Sequence, residues 1–410
     1  MVVVGASLAG LRACETLRME GFTGTITLVG AEDELPYDRP PLSKKLLAGE
    51  WEPDRIRLRK QAEFDGLGLD VRLATVATSL DTTDRIVTVD SARGGAERLR
   101  YDGLVIATGA HPRHLPNQPQ LDGVVELRTL ADSLDLRERL RGGAARVTVI
   151  GAGFIGLEVA ATARQTGCAV TVLEGARAPL MRGLGAEMGT AVAAVHVRHG
   201  VDLRCGVHVG AIEGADGVVT GVRLGIGELV EADVVVVGVG VSPSIEWLDG
   251  SGLEIHDGVV CDASLWTGAP AVYAAGDCAR WHNRLFDPHH DAVMRVEHWT
   301  NAAEQGAAAA QNLLRAARGA DHVPYESVPF FWSDQFESRI QFVGRAHGQD
   351  EGHVFAGSPE GAFAALYGHE GRLRGVLGVS MPRMVMPFRR LLAERASWDD
   401  ALARSAELTA

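Results

Sequence analysis

The sequence predicts an α/β protein with two Rossmann-like dinucleotide-binding domains plus a C-terminal α+β domain, on three observations. Strand, glycine-rich turn, helix and strand follow one another from Val2 and again from Arg146, an internal repeat spaced by about one domain length. Two further apolar strands, Leu104-Val105-Ile106 and Val234 to Val237, run into the small-residue turns Ala107-Thr108-Gly109 and Gly238-Val239-Gly240, and each would close one unit. Beyond Pro324 the pattern changes to two-residue alternation. At about 150 residues per domain, a chain of 410 residues holds two or three domains. The expected boundaries are 1–112 with 241–320 for the first nucleotide-binding domain, 113–240 for the second and 321–410 for the C-terminal domain.

In the first unit Val2-Val3-Val4, a short strand directly after Met1, leads into Gly5-Ala6-Ser7-Leu8-Ala9-Gly10. A helix runs from Leu8 to about Glu20, Gly21 stops it, and Thr25 to Val29 is the next strand. Ser7 stands where a second glycine is expected; it is small, and its hydroxyl is able to reach a phosphate oxygen. Glu32 follows the strand end as a ribose acceptor. The second unit repeats this with Val147 to Ile150, Gly151-Ala152-Gly153-Phe154-Ile155-Gly156, a helix to about Gln165, and Val170 to Leu173 ending at Glu174. Its glycines permit a tight turn, backbone approach to a pyrophosphate and close helix packing, and the helix N-terminus favours the phosphate charge. Glu174 would accept a ribose diol and repel a 2′-phosphate, though Arg177 is placed to neutralise it in part. Val272-Tyr273-Ala274-Ala275-Gly276-Asp277 ends a strand in a carboxylate suited to a ribityl hydroxyl, or to capping the next helix. Near the C-terminus Ala362 to Tyr367 and Leu373 to Leu377 flank His369-Glu370-Gly371 as a hairpin, followed by a basic helix over about Arg389 to Glu394 and a polar tail.

Hydrophobic residues are 46% and charged residues 23%, a globular composition, and the formal charge of −13 argues against nucleic acid or anionic membrane as the main partner. Apolar runs such as Val234 to Val241 reach less than half of the roughly 20 residues of a membrane helix. Met1 is followed at once by Val2-Val3-Val4-Gly5, with no signal-peptide pattern, so a cytoplasmic location is expected. The five cysteines are scattered, which excludes a CxxC pair, a zinc knuckle or a locally spaced iron–sulfur site. Cys14 falls on an apolar helical stripe, Cys278 adjoins Gly276-Asp277, and His289-His290-Asp291 looks like a metal ligand set but lacks further ligand spacing, so no metal is expected. Two nucleotide units in one chain point to hydride transfer from a nicotinamide to a flavin.

Pro36-Tyr37-Asp38-Arg39-Pro40-Pro41-Leu42-Ser43-Lys44, Ala107-Thr108-Gly109, Tyr273 to Asp277, Glu297-His298-Trp299 and Phe331-Trp332-Ser333-Asp334-Gln335 occur in an order that resembles the NADH-dependent ferredoxin reductases. These FAD flavoproteins feed Rieske-type dioxygenases and bacterial haem-thiolate monooxygenases, and are similar in fold to apoptosis-inducing factor and glutathione reductase. The resemblance covers essentially the whole chain. It implies that Lys44 lies near the flavin N5 and pairs with Glu158, the two catalytic candidates, and that Arg39 lies along the flavin. By the same resemblance Gly5, Ser7, Ala9, Gly10, Glu32, Val76, Ala107, Thr108, Gly109, Arg128, Gly276, Asp277, Glu297, His298 and Trp299 bind FAD. Gly151, Gly153, Ile155, Gly156, Glu158, Glu174, Arg182 and Gly240 fall to NADH. Trp332 resembles the tryptophan beside the flavin, against the alternative of one more aromatic in a Phe330-Phe331-Trp332 core cluster. Disulfide reductases of this fold place cysteine near Arg39 to Lys44, where this chain has Ser43, so thiol chemistry is not expected.

The function implied is hydride transfer from NADH to FAD, then single electrons to a separate, small, acidic [2Fe-2S] ferredoxin, by a monomer or homodimer. Arg295, Arg339, Arg345, Arg372 and Arg374 are candidates for docking it. The same motifs would serve a rubredoxin reductase, an NADH oxidase or a redox-sensing binding protein like apoptosis-inducing factor.

Overall fold

A computed structural model describes residues 1–286, 292–347 and 350–410, so His289-His290-Asp291 lies outside the described residues. The chain divides into two compact units: Met1–Asp38 with Ile56–His111 and Ser242–Pro329, and Arg39–Arg55 with Pro112–Val241 and Phe330–Ala410.

The first unit is built on a five-stranded parallel sheet in the order Val272–Ala274, Leu104–Ile106, Val2–Val4, Thr27–Val29, Asp70–Arg72. Val2–Val4 is central and fully buried, with both neighbours in register over its three residues. Its unbroken apolar run is what a parallel strand covered on both faces requires. The helix Leu8–Met19 packs against the helix Trp299–Ala317 so closely that a Cβ on Gly306 would stand 2.2 Å from the Ala9 carbonyl oxygen. A three-stranded antiparallel sheet, Thr75–Asp81, Ile86–Ser91 and Gly95–Arg100, adds Leu80, Val87 and Val89 to the same core.

The second unit repeats the parallel sheet in the order Asp202–Cys205, Ala169–Glu174, Arg146–Ile150, Val234–Val237, Val124–Val125. The helix Phe154–Gln165 lies between this sheet and a five-stranded antiparallel C-terminal sheet in the order Phe330–Gln335, Ser338–Gly344, Arg372–Val379, Phe363–His369, Glu351–Gly357. The two sheets share one core, in which Leu157 and Val159 join Phe342, Phe363 and Leu377, and Phe154 meets Phe331 edge-on at 4.7 Å. Arg39–Arg55 belongs to this unit too, with Leu47 in its core, although it precedes most of the first unit in sequence.

The hairpin joining Phe363–His369 to Arg372–Val379 turns at Glu370 and Gly371, both with positive φ (49° and 72°), the geometry that matches strand twist. The basic helix spans Pro387–Ala393. The polar tail is corrected: it is a helix, Trp398–Thr409, opened by a capping box in which Ser397 and Asp400 satisfy each other's backbone N–H groups. Trp398 at its start covers Gly368, where a Cβ would come 2.5 Å from the ring. Among the described residues no helix is long and apolar enough to cross a membrane, and no cluster of three or more potential ligands could hold a metal ion.

Candidate active site

Both glycine loops leave their parallel strand through a positive-φ glycine and enter a helix whose N-cap residue makes no side-chain cap bond: Ser7 in the first unit, Gly153 in the second. First-turn N–H groups are thus free of side-chain caps, as an anion-binding terminus needs. A Cβ on Gly153 would meet nothing within 4 Å, so protein packing does not require this glycine and the space beside it is open. Gly156 is required by packing, since its Cβ would lie 2.2 Å from the Gly151 carbonyl oxygen.

At the strand ends the two acids are held differently. Glu174 accepts the N–H groups of Ala152 and Ala176, both at 2.7 Å, which fixes its carboxylate beside the second loop. Arg177 is exposed, and among the described residues no ion pair joins it to Glu174. Glu32 accepts the Tyr37 hydroxyl. Backbone bonds from Ala74 to Glu32 and from Thr75 to Gly30 put Val76, half exposed, beside that turn. Arg182, exposed at the start of its helix, has its guanidinium 4.0 Å from the position of a Cβ on Gly240. Ile155 is also half exposed, on the first turn of the second nucleotide helix.

The tightest constellation lies inside the second unit. Glu158, only 2% exposed on the Phe154–Gln165 helix, accepts Lys44 Nζ at 2.7 Å and Ser43 Oγ at 2.5 Å on Oε2, and Ser333 Oγ at 2.6 Å on Oε1. The loop that carries Lys44 is pinned by its carbonyls: Ser133 Oγ donates to Leu42 O at 2.7 Å and Thr162 Oγ1 to Ser43 O at 2.8 Å. Ser133 sits on the Leu130–Leu140 helix, whose Thr129–Asp132 capping box also holds the Arg128 N–H. Arg39 donates to the Arg128 carbonyl, so these two predicted residues come together. The Lys44 side chain is 15% exposed, a cation held largely out of water by one carboxylate.

In the first unit, Thr108 donates to Ser244 O at 2.7 Å, and Ala107 lies against Gly5, whose Cβ would be 2.0 Å from the Ala107 carbonyl oxygen. Gly276 N–H donates to Gln305 Oε1 at 2.8 Å, leaving Asp277 at the turn. Trp299 opens its helix and donates Nε1 to Asp38 Oδ1 at 2.6 Å. His298 is its N-cap residue, and burial pushes its imidazole down to about 4, so it is neutral at pH 7. Glu297, exposed, pairs with Arg295 at 2.6 Å.

Residues 1–306 match the pyridine nucleotide-disulphide oxidoreductase family and residues 330–408 the reductase C-terminal family. The chain belongs to the pyridine nucleotide-disulphide oxidoreductase family. Rhodocoxin reductase of Rhodococcus erythropolis is 38% identical over 396 residues, covering 96% of this chain and 89% of the relative. The ferredoxin–NAD(+) reductase component of the anthranilate 1,2-dioxygenase system of Burkholderia cepacia is 38% identical over 402 residues, covering 97% and 95%. In structure, the covalent putidaredoxin reductase–putidaredoxin complex matches with a TM-score of 0.89 at 33% identity, over 96% of this chain and 93% of that one.

Members of the pyridine nucleotide-disulphide oxidoreductase family bind FAD and use NAD(P)H. Two uncapped helix termini, each with a strand-end acid, fit two such groups. The disulphide in the family's name has no counterpart here: among the described residues all cysteines are free, and none lies in Arg39 to Lys44, where Ser43 stands. Cys14 and Cys278 are fully buried, and burial pushes both thiols up, Cys14 to about 12. Cys278 donates to the Ala275 carbonyl at 3.4 Å and is no reactive thiol.

Two expected docking arginines are corrected. Arg295, with 9% side-chain exposure, is clamped by Glu297, Asp257 and the Asp277 carbonyl, and Arg374 is 6% exposed within the C-terminal sheet. Arg339 and Arg372 are exposed, and Arg345 is half-buried. Strand alternation separates the aromatic residues of Phe330–Gln335: Phe331 joins the core, and Trp332 lies on the opposite face, stacked on Phe330 at 6.1 Å. Ser43, Ser133, Thr162, Ser333, Gln335 and His196 carried no predicted role. The polar positions on the core-facing side of that strand were the available signal for Ser333 and Gln335.

Proposed function

We propose that this chain is a cytoplasmic FAD-dependent NADH:ferredoxin oxidoreductase, with FAD in the first nucleotide fold and NADH in the second. A flavin held there would supply hydride acceptance from the nicotinamide and single-electron release to an iron–sulfur acceptor. The observation that carries this is the buried Lys44–Glu158 pair at 2.7 Å. Lys44 supplies a fixed positive charge for the flavin edge on which negative charge develops, and preorganised charge of this kind acts most strongly where water is excluded. Glu158 holds that ammonium in place through an oxygen it shares with Ser43.

Glu174, its carboxylate already oriented by two backbone N–H groups, accepts a ribose diol and opposes a 2′-phosphate, so NADH is preferred. The acceptor is a small, acidic [2Fe-2S] ferredoxin, in keeping with relatives named for a dioxygenase system and for a complex with putidaredoxin. Exposed Arg339 and Arg372 are the remaining docking candidates with open surfaces, and Arg345 is half-covered. The cytoplasm is the proposed location because NADH is supplied there.

The test is NADH-driven cytochrome c reduction with and without a [2Fe-2S] ferredoxin. Ferredoxin-dependent reduction is the expected result. Oxygen consumption at the same rate without ferredoxin would replace this reading with that of an NADH oxidase.

A further inference from the structure

We propose that Ser333, Gln335 and His196 are positioning residues for hydride transfer, acting through a directional line of hydrogen bonds that fixes the Glu158 carboxylate and so the place of Lys44. The proposal rests on the reading of Lys44 and Glu158 given above. Ser333 and Gln335 alternate on the core-facing side of the Phe330–Gln335 strand, and His196 enters the same space from the Met181–Arg198 helix. Their exposures are 1%, 0% and 0%. Apolar residues would fill these positions at no cost in desolvation, whereas buried polar groups are stable only when hydrogen-bonded.

The line has a single sense. His196 Nε2 lies 2.9 Å from Gln335 Oε1, Gln335 Nε2 donates to Ser333 Oγ at 3.1 Å, and Ser333 Oγ donates to Glu158 Oε1 at 2.6 Å. A carboxylate accepts, so the one hydroxyl proton of Ser333 points to Glu158, and the serine oxygen is left to receive the amide N–H. The amide oxygen then faces the imidazole, which must carry its proton on Nε2, an assignment made from the donor pattern. Among the described residues His196 Nδ1 is buried with no hydrogen-bond partner, and burial lowers the affinity of the ring for a second proton. Phe336 packs on the imidazole in a T-shaped pair, 5.1 Å between centroids.

Both carboxylate oxygens are thereby committed from opposite directions. The C-terminal sheet holds Oε1, and the Arg39–Arg55 segment holds Oε2 through Ser43 and Lys44. Without the Ser333 donor, the carboxylate keeps partners on one side only. It is then free to turn about its terminal torsion, which has broad minima.

The experiment uses FAD-loaded protein and follows anaerobic flavin bleaching by NADH, together with mass-spectrometric measurement of Lys44 reductive methylation. Ser333→Ala is expected to slow bleaching about tenfold, the weight of one hydrogen bond to a charged group, with the half-saturating NADH concentration unchanged. Lys44 methylation should rise in the same variant. Ser333→Thr, which restores the hydroxyl, should return both readouts to near wild type. In a Glu158→Gln background Ser333→Ala should add nothing, because the serine acts through that carboxylate. If Ser333→Ala fails to hold FAD, Gln335→Met, similar in volume, takes its place with a slowing of about threefold for a neutral hydrogen bond. Bleaching and methylation at wild-type values in these variants, or a full additional loss in the Glu158→Gln background, would overturn the positioning role. Should Lys44→Met and Glu158→Gln themselves bleach at the wild-type rate, the failure belongs to the reading of the pair.

Discussion

At Gly5 and at Gly151 the chain leaves a parallel strand with φ of 121° and 106°, and at each turn a Cβ would strike the neighbouring strand end, 2.0 Å from Ala107 O in the first unit and 2.3 Å from Gly238 O in the second. The third glycines, Gly10 and Gly156, face the carbonyls of the first, with Cβ positions 1.9 and 2.2 Å from oxygen. Beyond this shared frame the copies part. Two residues after the third glycine stands Arg12 in one helix and Glu158 in the other. Arg12 pairs with Glu15 at 2.7 Å in partial contact with solvent, whereas Glu158 is buried with Lys44, Ser43 and Ser333 on its two oxygens. The glycine frame is thus common to both copies, and the buried charge constellation to which the proposed function assigns hydride chemistry stands at the matched position of one copy only.

The largest expected effect separates the copies outright. Gly10→Ala should yield protein that no longer retains FAD, and Gly156→Ala should stay yellow yet fail to bleach with NADH, because each Cβ meets backbone that has no room to move. Absorbance at the flavin band before and after NADH reads both; loss of FAD in Gly156→Ala would show that the two loops do not serve separate nucleotides.

Each unit also holds an imidazole whose proton affinity burial lowers: His298, half-buried at the start of its helix, and His196, fully buried. The unfolded chain takes up protons near the ordinary value of 6.5, and the folded one only near 4 for His298. Stability is therefore full above about pH 6.5 and falls as pH drops toward 4, by about 3 kcal/mol for His298. Urea midpoints across this range should fall in wild type and flatten in His298→Gln; an unchanged slope would show that His298 does not set the acid sensitivity.

A smaller effect concerns the acids. Glu174→Ala should shrink the preference for NADH by about 1 to 4 kcal/mol, the cost of like charges about 4 Å apart in partly screened surroundings, measured as the ratio of kcat/KM for the two coenzymes. An unchanged ratio would transfer discrimination to Arg182 or Arg177. The smallest effect is at Ser7, which makes no side-chain cap bond. Ser7→Ala should weaken FAD binding by about 1 kcal/mol if its hydroxyl meets phosphate. Equal affinity would make the first loop's serine a plain substitute for glycine.

What the sequence made legible was local. Both strand–turn–helix units, the positive-φ hairpin at Glu370-Gly371 and the strand ends at Asp277 and Glu174 all depend on neighbours within one element or one turn. Pairing of Lys44 with Glu158 came from resemblance, since the residues are 114 positions apart. Nothing local marks the bond from Ser333 to Glu158, 175 positions away, or the hydroxyls of Ser133 and Thr162 that pin the lysine loop by its carbonyls. The terminal helix was readable and was missed: Ser397-x-x-Asp400 is a capping signal that the polar composition of the tail outweighed. Burial of Arg295 and Arg374 could not be foreseen, because strand position alone does not say which face of a long cation is covered.

The hydride role proposed for Glu158, at the matched position of the second nucleotide helix, and for its partner Lys44 is read by anaerobic rapid mixing of the FAD-loaded protein with excess NADH. Lys44→Met and Glu158→Gln should each retain FAD and bleach at least about tenfold more slowly than wild type, and the double variant should be less impaired than the product of the two, since the residues act as one unit. Wild-type bleaching in both single variants would leave Lys44 and Glu158 as a structural ion pair and contradict the assignment of hydride chemistry to that helix.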